Sequence, residues 1–322
     1  MTTSAAGYND GVRGTNLTMD GKRMAAVAGV VLALWAAEIA VVGGLRYEWD
    51  LRAFALFGPR FADGRVVSDV PLTLPHGYDG QFYAALSTDP LLRRSETIRA
   101  LDNPEYRAGR ILLPATAWIV TGGSRDLAPL AYVWLCWIGA LAGPLLVVLW
   151  SSRHGVSSWW GVALCLTPGV TMSMLRALPD GAAAPLVISG LWAWSSERRF
   201  LSVGLFTLAV LCRETSLVFI VGAALYDLTR QRWRDAATLL TVPAVPWVLW
   251  KGWLVLREAG GRHAGDGNFA IPFEGLGSWL ERWPRVPDWM QGPENAAMLG
   301  LGLLAIATSA ASRAASASAI SA

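Results

Sequence analysis

The stretch between His76 and Pro114 concentrates side chains that can do acid-base and anion-binding chemistry. It reads HGYDGQFYAALSTDP, then LLRRSETIRAL, then DNPEYRAGRILLP. Its carboxylates, Asp79 among them, can remove a proton from a hydroxyl group. Its guanidinium groups, such as Arg107 and Arg110, bind phosphate oxygens through paired hydrogen bonds. A site with both groups could hold a phosphate while it activates an acceptor hydroxyl.

The composition places this stretch in a membrane protein. Of the 322 residues, 53% are hydrophobic and 16% are charged, whereas soluble domains carry about 25% charged residues. Lys and Arg are scattered, with no basic stripe between exposed aromatic residues, so nucleic acid is not expected as a partner. Cys136, Cys165 and Cys212 lie in apolar runs, and we expect them to be core residues rather than disulfides. No metal-ligand motif occurs, so no cofactor is predicted, and a divalent metal stays open.

The hydrophobic runs predict an all-α fold, a polytopic transmembrane bundle of about eight crossings. Residues 1–23 are predicted to be a cytoplasmic tail. Met24–Leu45 would reach about 33 Å as a helix, enough for one crossing. A cleaved signal peptide is the alternative, but the apolar part of such peptides is shorter, about 7–15 residues.

Residues 46–110 then form a long first outer loop, which carries the polar stretch. Within it, Leu51–Phe57 and Gln81–Leu86 are expected to be short interfacial helices at the surface. The apolar run Ile111–Thr121 is too short to cross a bilayer, so it is predicted to be interfacial or re-entrant.

Apolar runs separated by helix breakers predict the remaining crossings. Two runs are too long for one crossing and are predicted to be hairpins, with turns at Pro179-Asp180-Gly181 and at Arg213-Glu214. The predicted elements are, in order, Leu127–Trp150, the hairpins Trp159–Trp194 and Phe200–Leu228, Ala236–Leu256, a second outer loop 257–294, a last crossing Ala296–Thr308, and a disordered tail 309–322.

Basic residues in the short connections predict the orientation. One side carries six of them, and the other side carries two, Arg176 and Arg213. The positive-inside rule places the six and the N-terminus in the cytoplasm. The six are Arg153, Arg198, Arg199, Arg230, Arg232 and Arg234. The charged groups expected to gather at the outer face are Asp79, Asp102, Arg107, Arg110, Asp180, Arg213 and Glu214.

Each candidate residue also has a purely structural interpretation. Asp79-Gly80 is a turn dipeptide, and Asp180 has the same setting in Leu-Pro-Asp-Gly. Asp102 could cap a helix that starts at Asn103-Pro104. Arg107 and Arg110 could extend to lipid headgroups, and Arg213-Glu214 could be an ion pair that makes a short hairpin tolerable.

The same residues form motifs that resemble a family of bacterial membrane proteins, the GT-C glycosyltransferase superfamily. The resemblance covers about Met24 to Leu256 and is closest to the group associated with cell-surface glycopolymers. The motifs are Gly77-Tyr78-Asp79-Gly80-Gln81-Phe82-Tyr83, Asp89-Pro90, Asp102-x-Pro104-x-Tyr106-Arg107-x-x-Arg110-Ile111-Leu112-x-Pro114, Leu178-Pro179-Asp180-Gly181 and Arg213-Glu214-Thr215. Members of the family often continue through more apolar segments than this chain has.

The resemblance implies an inverting transferase of the bacterial plasma membrane, with its site on the extracytoplasmic face. Its donor would be a polyprenyl-phosphate-linked sugar, and its acceptor a glycan or a lipid. Asp79 corresponds to the acidic residue that acts as base in that superfamily. The substrate-binding candidates are Tyr78, Gln81, Tyr83, Asp102, Arg107, Arg110, Asp180, Arg213 and Glu214.

Two other functions stay open at the level of sequence. A transporter or flippase for a lipid-linked saccharide would use charged groups along a pathway, and Glu38 and the Arg213-Glu214 pair would provide them. A non-catalytic partner in glycopolymer assembly is the third hypothesis. Transfer of glycan across liposomes without a new glycosidic bond would separate transport from catalysis.

Overall fold

The computed structural model describes residues 21–69 and 71–257. In these ranges the chain is 72% helix and has no strand, which confirms the predicted all-α class. The first helix begins at Gly21, inside the predicted tail. The predictions for residues 1–20, for the second outer loop beyond Arg257, for Ala296–Thr308 and for the tail 309–322 lie outside the described residues.

Twelve α-helices and two short 3-10 turns make up the described part of the chain. The 3-10 turns are Leu51–Ala55 and Glu214–Ser216. The helices are α1 (Gly21–Tyr47), α2 (Asp79–Leu86), α3 (Ser95–Arg99), α4 (Pro104–Ala108), α5 (Leu112–Val120), α6 (Ala128–Arg153), α7 (Trp159–Cys165), α8 (Pro168–Leu175), α9 (Asp180–Ser195), α10 (Arg199–Cys212), α11 (Leu217–Thr229) and α12 (Trp233–Leu256).

Three of these helices, α1, α6 and α12, are long and apolar enough to cross a membrane. The bundle of eight crossings is not confirmed. The first predicted hairpin arm is split into α7 and α8, because Pro168 starts a new helix at its first position. Helices α9, α10 and α11 have 16, 14 and 13 residues, whereas a crossing needs about 20.

Small residues let the central helix α6 pack closely against α9. A Cβ at Gly139 would overlap Ala182, and one at Gly181 would lie 3.1 Å from the Cβ of Ala140. Lipid tails are as apolar as the side chains, so the hydrophobic effect does not drive helices together within a membrane. Close packing of this kind stabilises their association instead. A second cluster joins α10, α11 and α12 around Phe206 and Ile220.

The described residues between α1 and α5 fold over one end of these helices, and we call them the cap. Phe54 anchors it, with ring centroids 5.0 Å from Tyr47 at the end of α1 and 4.8 Å from Trp137 of α6. Helix α2 is buried from Gly80 to Leu86. Both predicted short helices are present, as the 3-10 turn Leu51–Ala55 and as α2. Their expected position at the surface does not hold for α2, because its side chains pack on α6 and on that 3-10 turn.

Candidate functional site in the cap

Arg107 is placed by a short helix whose start is capped by Asn103. The Asn103 side chain accepts a hydrogen bond of 3.0 Å from the backbone N–H of Tyr106, and Pro104 occupies the first helical position. The predicted cap, Asp102, does not act as one. Its two oxygens accept from Arg107 Nε at 2.8 Å and from Arg107 Nη2 at 2.7 Å.

A second carboxylate reaches the same guanidinium from helix α2. Asp79 Oδ2 lies 2.7 Å from Arg107 Nη1, and 43% of the Asp79 side chain stays exposed. Nη1 is buried and makes no well-aligned hydrogen bond, although the charges are in contact. Asp79 therefore forms the edge of the cluster that a hydroxyl could approach, and Nη1 is the buried group that it contacts.

Both arginines of the predicted motif are buried, so they do not extend to lipid headgroups as the structural interpretation expected. Only 8% of the Arg107 side chain is exposed, and it packs 4.5 Å above the ring of Phe82. Burial opposes its charge, but its hydrogen bonds to the Asp102 carboxylate and the nearby charge of Asp79 outweigh burial and raise the pKa of Arg107.

Arg110 is the more deeply buried of the two, with 2% of its side chain exposed. It donates to both oxygens of Glu214, at 3.0 and 2.7 Å, to the Tyr106 hydroxyl at 2.6 Å, and to the Tyr83 hydroxyl. Burial opposes ionisation of Glu214, but the hydrogen bonds and charge of Arg110 outweigh it and lower the pKa of that carboxyl. The pKa of Arg110 is raised against burial by the same pair.

The fourth ion pair joins the turns of the two predicted hairpins. Arg213 Nη1 donates to Asp180 Oδ2 at 2.9 Å. Asp180 is the first residue of α9, where the helix dipole also favours a negative charge. Arg213 and Glu214 do not form the ion pair that the structural interpretation expected. Arg213 pairs with Asp180, and Glu214 pairs with Arg110.

These pairs form one continuous network. The rings of Tyr83 and Tyr106 lie between the two buried guanidiniums, within 4.5 to 6.0 Å of each. Glu214 is the next residue after Arg213, so the Arg110–Glu214 pair adjoins the Arg213–Asp180 pair. The structure thus brings together all seven charged residues predicted to gather, which are Asp79, Asp102, Arg107, Arg110, Asp180, Arg213 and Glu214.

Two of the predicted substrate-binding residues are buried in the cap. Gln81 is buried, and its Oε1 accepts a 3.0 Å hydrogen bond from the backbone N–H of Gly58. Tyr83 is fully buried against Arg110. Neither side chain presents a surface to a substrate in this structure. Tyr78 is half-buried, and the guanidinium of Arg176 lies over its ring, 4.3 Å from the centroid.

Three residues of this region were not among the predicted site residues. Tyr106 precedes Arg110 by four residues, a spacing that brings side chains together on helical backbone. Arg176 belongs to the turn before α9 and covers Tyr78. Lys251 of α12 donates to Glu105 at 3.0 Å, and a lysine inside an apolar crossing is the signal for such a polar partner.

The chemistry available here is that of carboxylates and guanidiniums. In residues 21–69 and 71–257, no group of three or more His, Cys, Asp or Glu side chains is arranged to hold a metal ion. Cys136, Cys165 and Cys212 are free and buried, which confirms the prediction that they are core residues.

Comparison of the chain with protein-family models, with curated proteins and with solved structures finds no match. The resemblance to the GT-C superfamily therefore rests on the sequence motifs.

Proposed function

We propose that this protein is a membrane glycosyltransferase, which moves a sugar from a polyprenyl-phosphate carrier to a hydroxyl acceptor of the cell envelope. One observation carries the proposal. Asp79 is the most exposed of the four carboxylates in the network, with 43% of its side chain exposed, and it lies against the unsatisfied Nη1 of Arg107. A carboxylate held in place at the open edge of a polar network is available to accept a proton from a bound hydroxyl.

In the proposed reaction Asp79 takes the proton of the acceptor hydroxyl. The acceptor oxygen forms a bond to the anomeric carbon of the sugar, with inversion. The bond from that carbon to the phosphate oxygen breaks, and the polyprenyl phosphate leaves with the electron pair. One bond forms, one bond breaks and Asp79 holds the proton, so the atoms and electrons balance without a further reactant.

The contacts of the arginines support different roles for them in this reaction. Arg213 keeps 24% of its side chain exposed and has one partner, Asp180, so it is suited to bind the leaving phosphate. Arg107 Nη1 is buried against Asp79, so Arg107 is suited to hold the base in place. Arg110 has Nε, Nη1 and Nη2 all engaged. It is therefore a positioning residue that holds Glu214 and the two tyrosines.

The proposal includes a topology of about eight crossings in the bacterial plasma membrane, with the N-terminus inside and the cap outside. The contacts of the last described helix support it. Lys251 Nζ lies 3.0 Å from Glu105, and Trp250 donates to the Ala108 carbonyl oxygen at 2.7 Å. The end of α12 and the cap are thus on one side, as alternating crossings require. The predicted cytoplasmic arginines lie at the opposite helix ends.

The direct test is Asp79→Asn, assayed in membranes with a radiolabelled polyprenyl-phosphate sugar. We expect sugar transfer to fall by about 10²- to 10⁴-fold, the usual contribution of a general base. Asp63→Asn is the matched control, since Asp63 lies in the cap and pairs with Arg65, outside the network. Transfer by Asp79→Asn at the wild-type rate, with normal protein levels, would remove the base from the mechanism.

The transport hypothesis has less support from the same contacts. Arg213 and Glu214, two of the charged groups that favoured it, are each held in a salt bridge. Reconstitution into liposomes separates the hypotheses, because a flippase moves the lipid-linked saccharide without making a glycosidic bond. A non-catalytic assembly partner predicts that Asp79→Asn leaves the envelope glycan intact, while deletion of the protein abolishes it.

A further inference from the structure

A cavity of about 680 Å³ lies at the end of the bundle opposite the cap, between helices α9 and α11. We call it the far-end groove. It shares no residue with the network of the cap. Its lining consists of Leu191, Trp194, Ser195, Glu197, Arg199, Val218, Phe219, Gly222, Ala223, Tyr226, Arg230 and Arg232.

The long wall of the groove is apolar, and its length is close to the depth of one leaflet of a bilayer. From Val218 to Arg230 the helix rises about 18 Å, and one half of a hydrocarbon core is about 15 Å deep. Val218 is 70% exposed and Phe219 is 53% exposed. Gly222 leaves open space between them and the mouth, since a Cβ there would meet no atom within 4 Å. An acyl chain fits this surface in size and chemistry.

Three arginines surround the mouth of the groove, at the level where lipid headgroups would lie. Glu197 is 63% exposed, and its two oxygens lie 2.8 Å from Arg199 Nη2 and 2.8 Å from Arg232 Nη1. The two guanidiniums therefore already converge on one oxyanion. Arg230 adds a third positive charge and donates to the Tyr226 hydroxyl at 3.1 Å. The lining carries three positive charges and one negative charge. Arg199 also pairs with Asp227 and Asp235, which do not line the groove.

We propose that the far-end groove binds one anionic phospholipid, with its phosphate among Arg199, Arg230 and Arg232 and an acyl chain between α9 and α11. Guanidiniums bind phosphate oxygens in the same paired geometry that they use for a carboxylate. Basic pockets between membrane helices are a known setting for anionic headgroups. The apolar wall favours a lipid over free phosphate. The proposal is independent of the glycosyltransferase function.

The experiment is native mass spectrometry of the full chain in detergent, titrated with phosphatidylglycerol, with phosphatidylcholine and with inorganic phosphate. We expect one tightly retained phosphatidylglycerol and at least tenfold weaker binding of phosphatidylcholine. Equal retention of the two lipids would overturn the proposal. Displacement of phosphatidylglycerol by millimolar inorganic phosphate would also overturn it, because the site would then recognise phosphate alone.

Two independent variants locate the binding. Arg230→Gln removes a charge from the mouth and is expected to weaken phosphatidylglycerol about fivefold. Its control is Arg234→Gln, an exposed arginine at the same end that does not line the groove. Affinity unchanged in Arg230→Gln, or lowered equally in Arg234→Gln, would contradict the proposal.

Gly222→Leu fills the groove and is expected to reduce phosphatidylglycerol binding by at least tenfold. Its control is Gly204→Leu, since Gly204 of α10 is exposed, has the same open space and lies outside the groove. Melting of each variant in detergent shows that the protein is folded. Full phosphatidylglycerol binding by folded Gly222→Leu would show that the acyl chain does not lie in the groove.

Discussion

At the residue scale, the burial of two arginines determines the structure of the cap. A guanidinium with 2% of its side chain exposed, like Arg110, has lost its hydration and requires a charged partner. Glu214 provides that partner from a part of the chain 104 residues away. Arg107 instead has two carboxylates, and one of them remains exposed. The first arrangement favours stability, and the second leaves a group available for chemistry.

Loss of the partner of Arg110 should therefore be costly. We expect Glu214→Gln to lower the free energy of unfolding by about 3 kcal/mol, the usual result of leaving one charge of a buried pair without its partner. Denaturation in detergent measures the change. Asp180→Asn is the control, because the Asp180–Arg213 pair is more exposed and should contribute about 1 kcal/mol or less. Equal losses in both variants would contradict the account.

The same pair sets a pH dependence of stability. The pKa of Glu214 is lowered in the folded protein from its ordinary value of 4.5. A lowered folded-state pKa stabilises the protein above the unfolded value, and this stabilisation is lost as the pH falls through the folded value. Wild type and Glu214→Gln should thus differ at pH 7 and converge in acid below about 4.5. A difference that does not shrink as the pH falls below 4.5 would indicate another cause.

At the element scale, α2 positions the proposed base, and Gly80 determines how closely α2 packs. A Cβ at Gly80 would overlap the carbonyl oxygen of Arg176 and lie 2.9 Å from that of Ala55. The backbone of α2 therefore contacts both the 3-10 turn of the cap and the turn before α9. This close approach places Asp79 in contact with Arg107.

Gly80→Ala should displace α2 and move Asp79 away from Arg107. We expect a loss of stability of about 1–3 kcal/mol from overpacking, together with reduced sugar transfer. Thermal denaturation in detergent and the transfer assay check both effects. Gly169→Ala is the control, because Gly169 of α8 has no atom near its added Cβ. Normal stability and transfer in Gly80→Ala would show that the close approach is dispensable.

The elements differ in how far the sequence predicts them. The breaks at Pro179-Asp180-Gly181 and at Arg213-Glu214 are predictable, because polar residues interrupt long apolar runs. The burial of α2 is not, since it depends on Gln81 meeting the backbone of Gly58 across 23 residues. The split between α7 and α8 has a visible signal in Pro168, but run length alone suggested one crossing.

At the scale of the whole molecule, the two ends of the helices differ in chemistry. The cap end holds buried ion pairs and an exposed carboxylate, and the far end holds arginines around an apolar groove. The convergence of distant charges at one end could be inferred from the order of turns and crossings. The packing of the side chains there could not, because it depends on contacts between separate segments.

Labelling with a membrane-impermeant maleimide tests this polarity. The native cysteines are buried, so their background reaction should be low. In intact cells we expect Arg60→Cys in the cap and Thr215→Cys beside Glu214 to be labelled, and Arg234→Cys at the far end to be protected until the membrane is opened. All three positions are exposed on the protein itself. Labelling of the cap and of Thr215→Cys from opposite sides of the membrane would contradict the account.

The most direct test of the central claim is the set of lipid-linked sugars in cells that carry Asp79→Asn in place of the wild-type protein. We predict that one polyprenyl-phosphate sugar accumulates in the membrane, while the same sugar disappears from the envelope glycan and the protein stays at its normal level. An unchanged pool of lipid-linked sugars together with an intact glycan would contradict the claim that Asp79 serves sugar transfer.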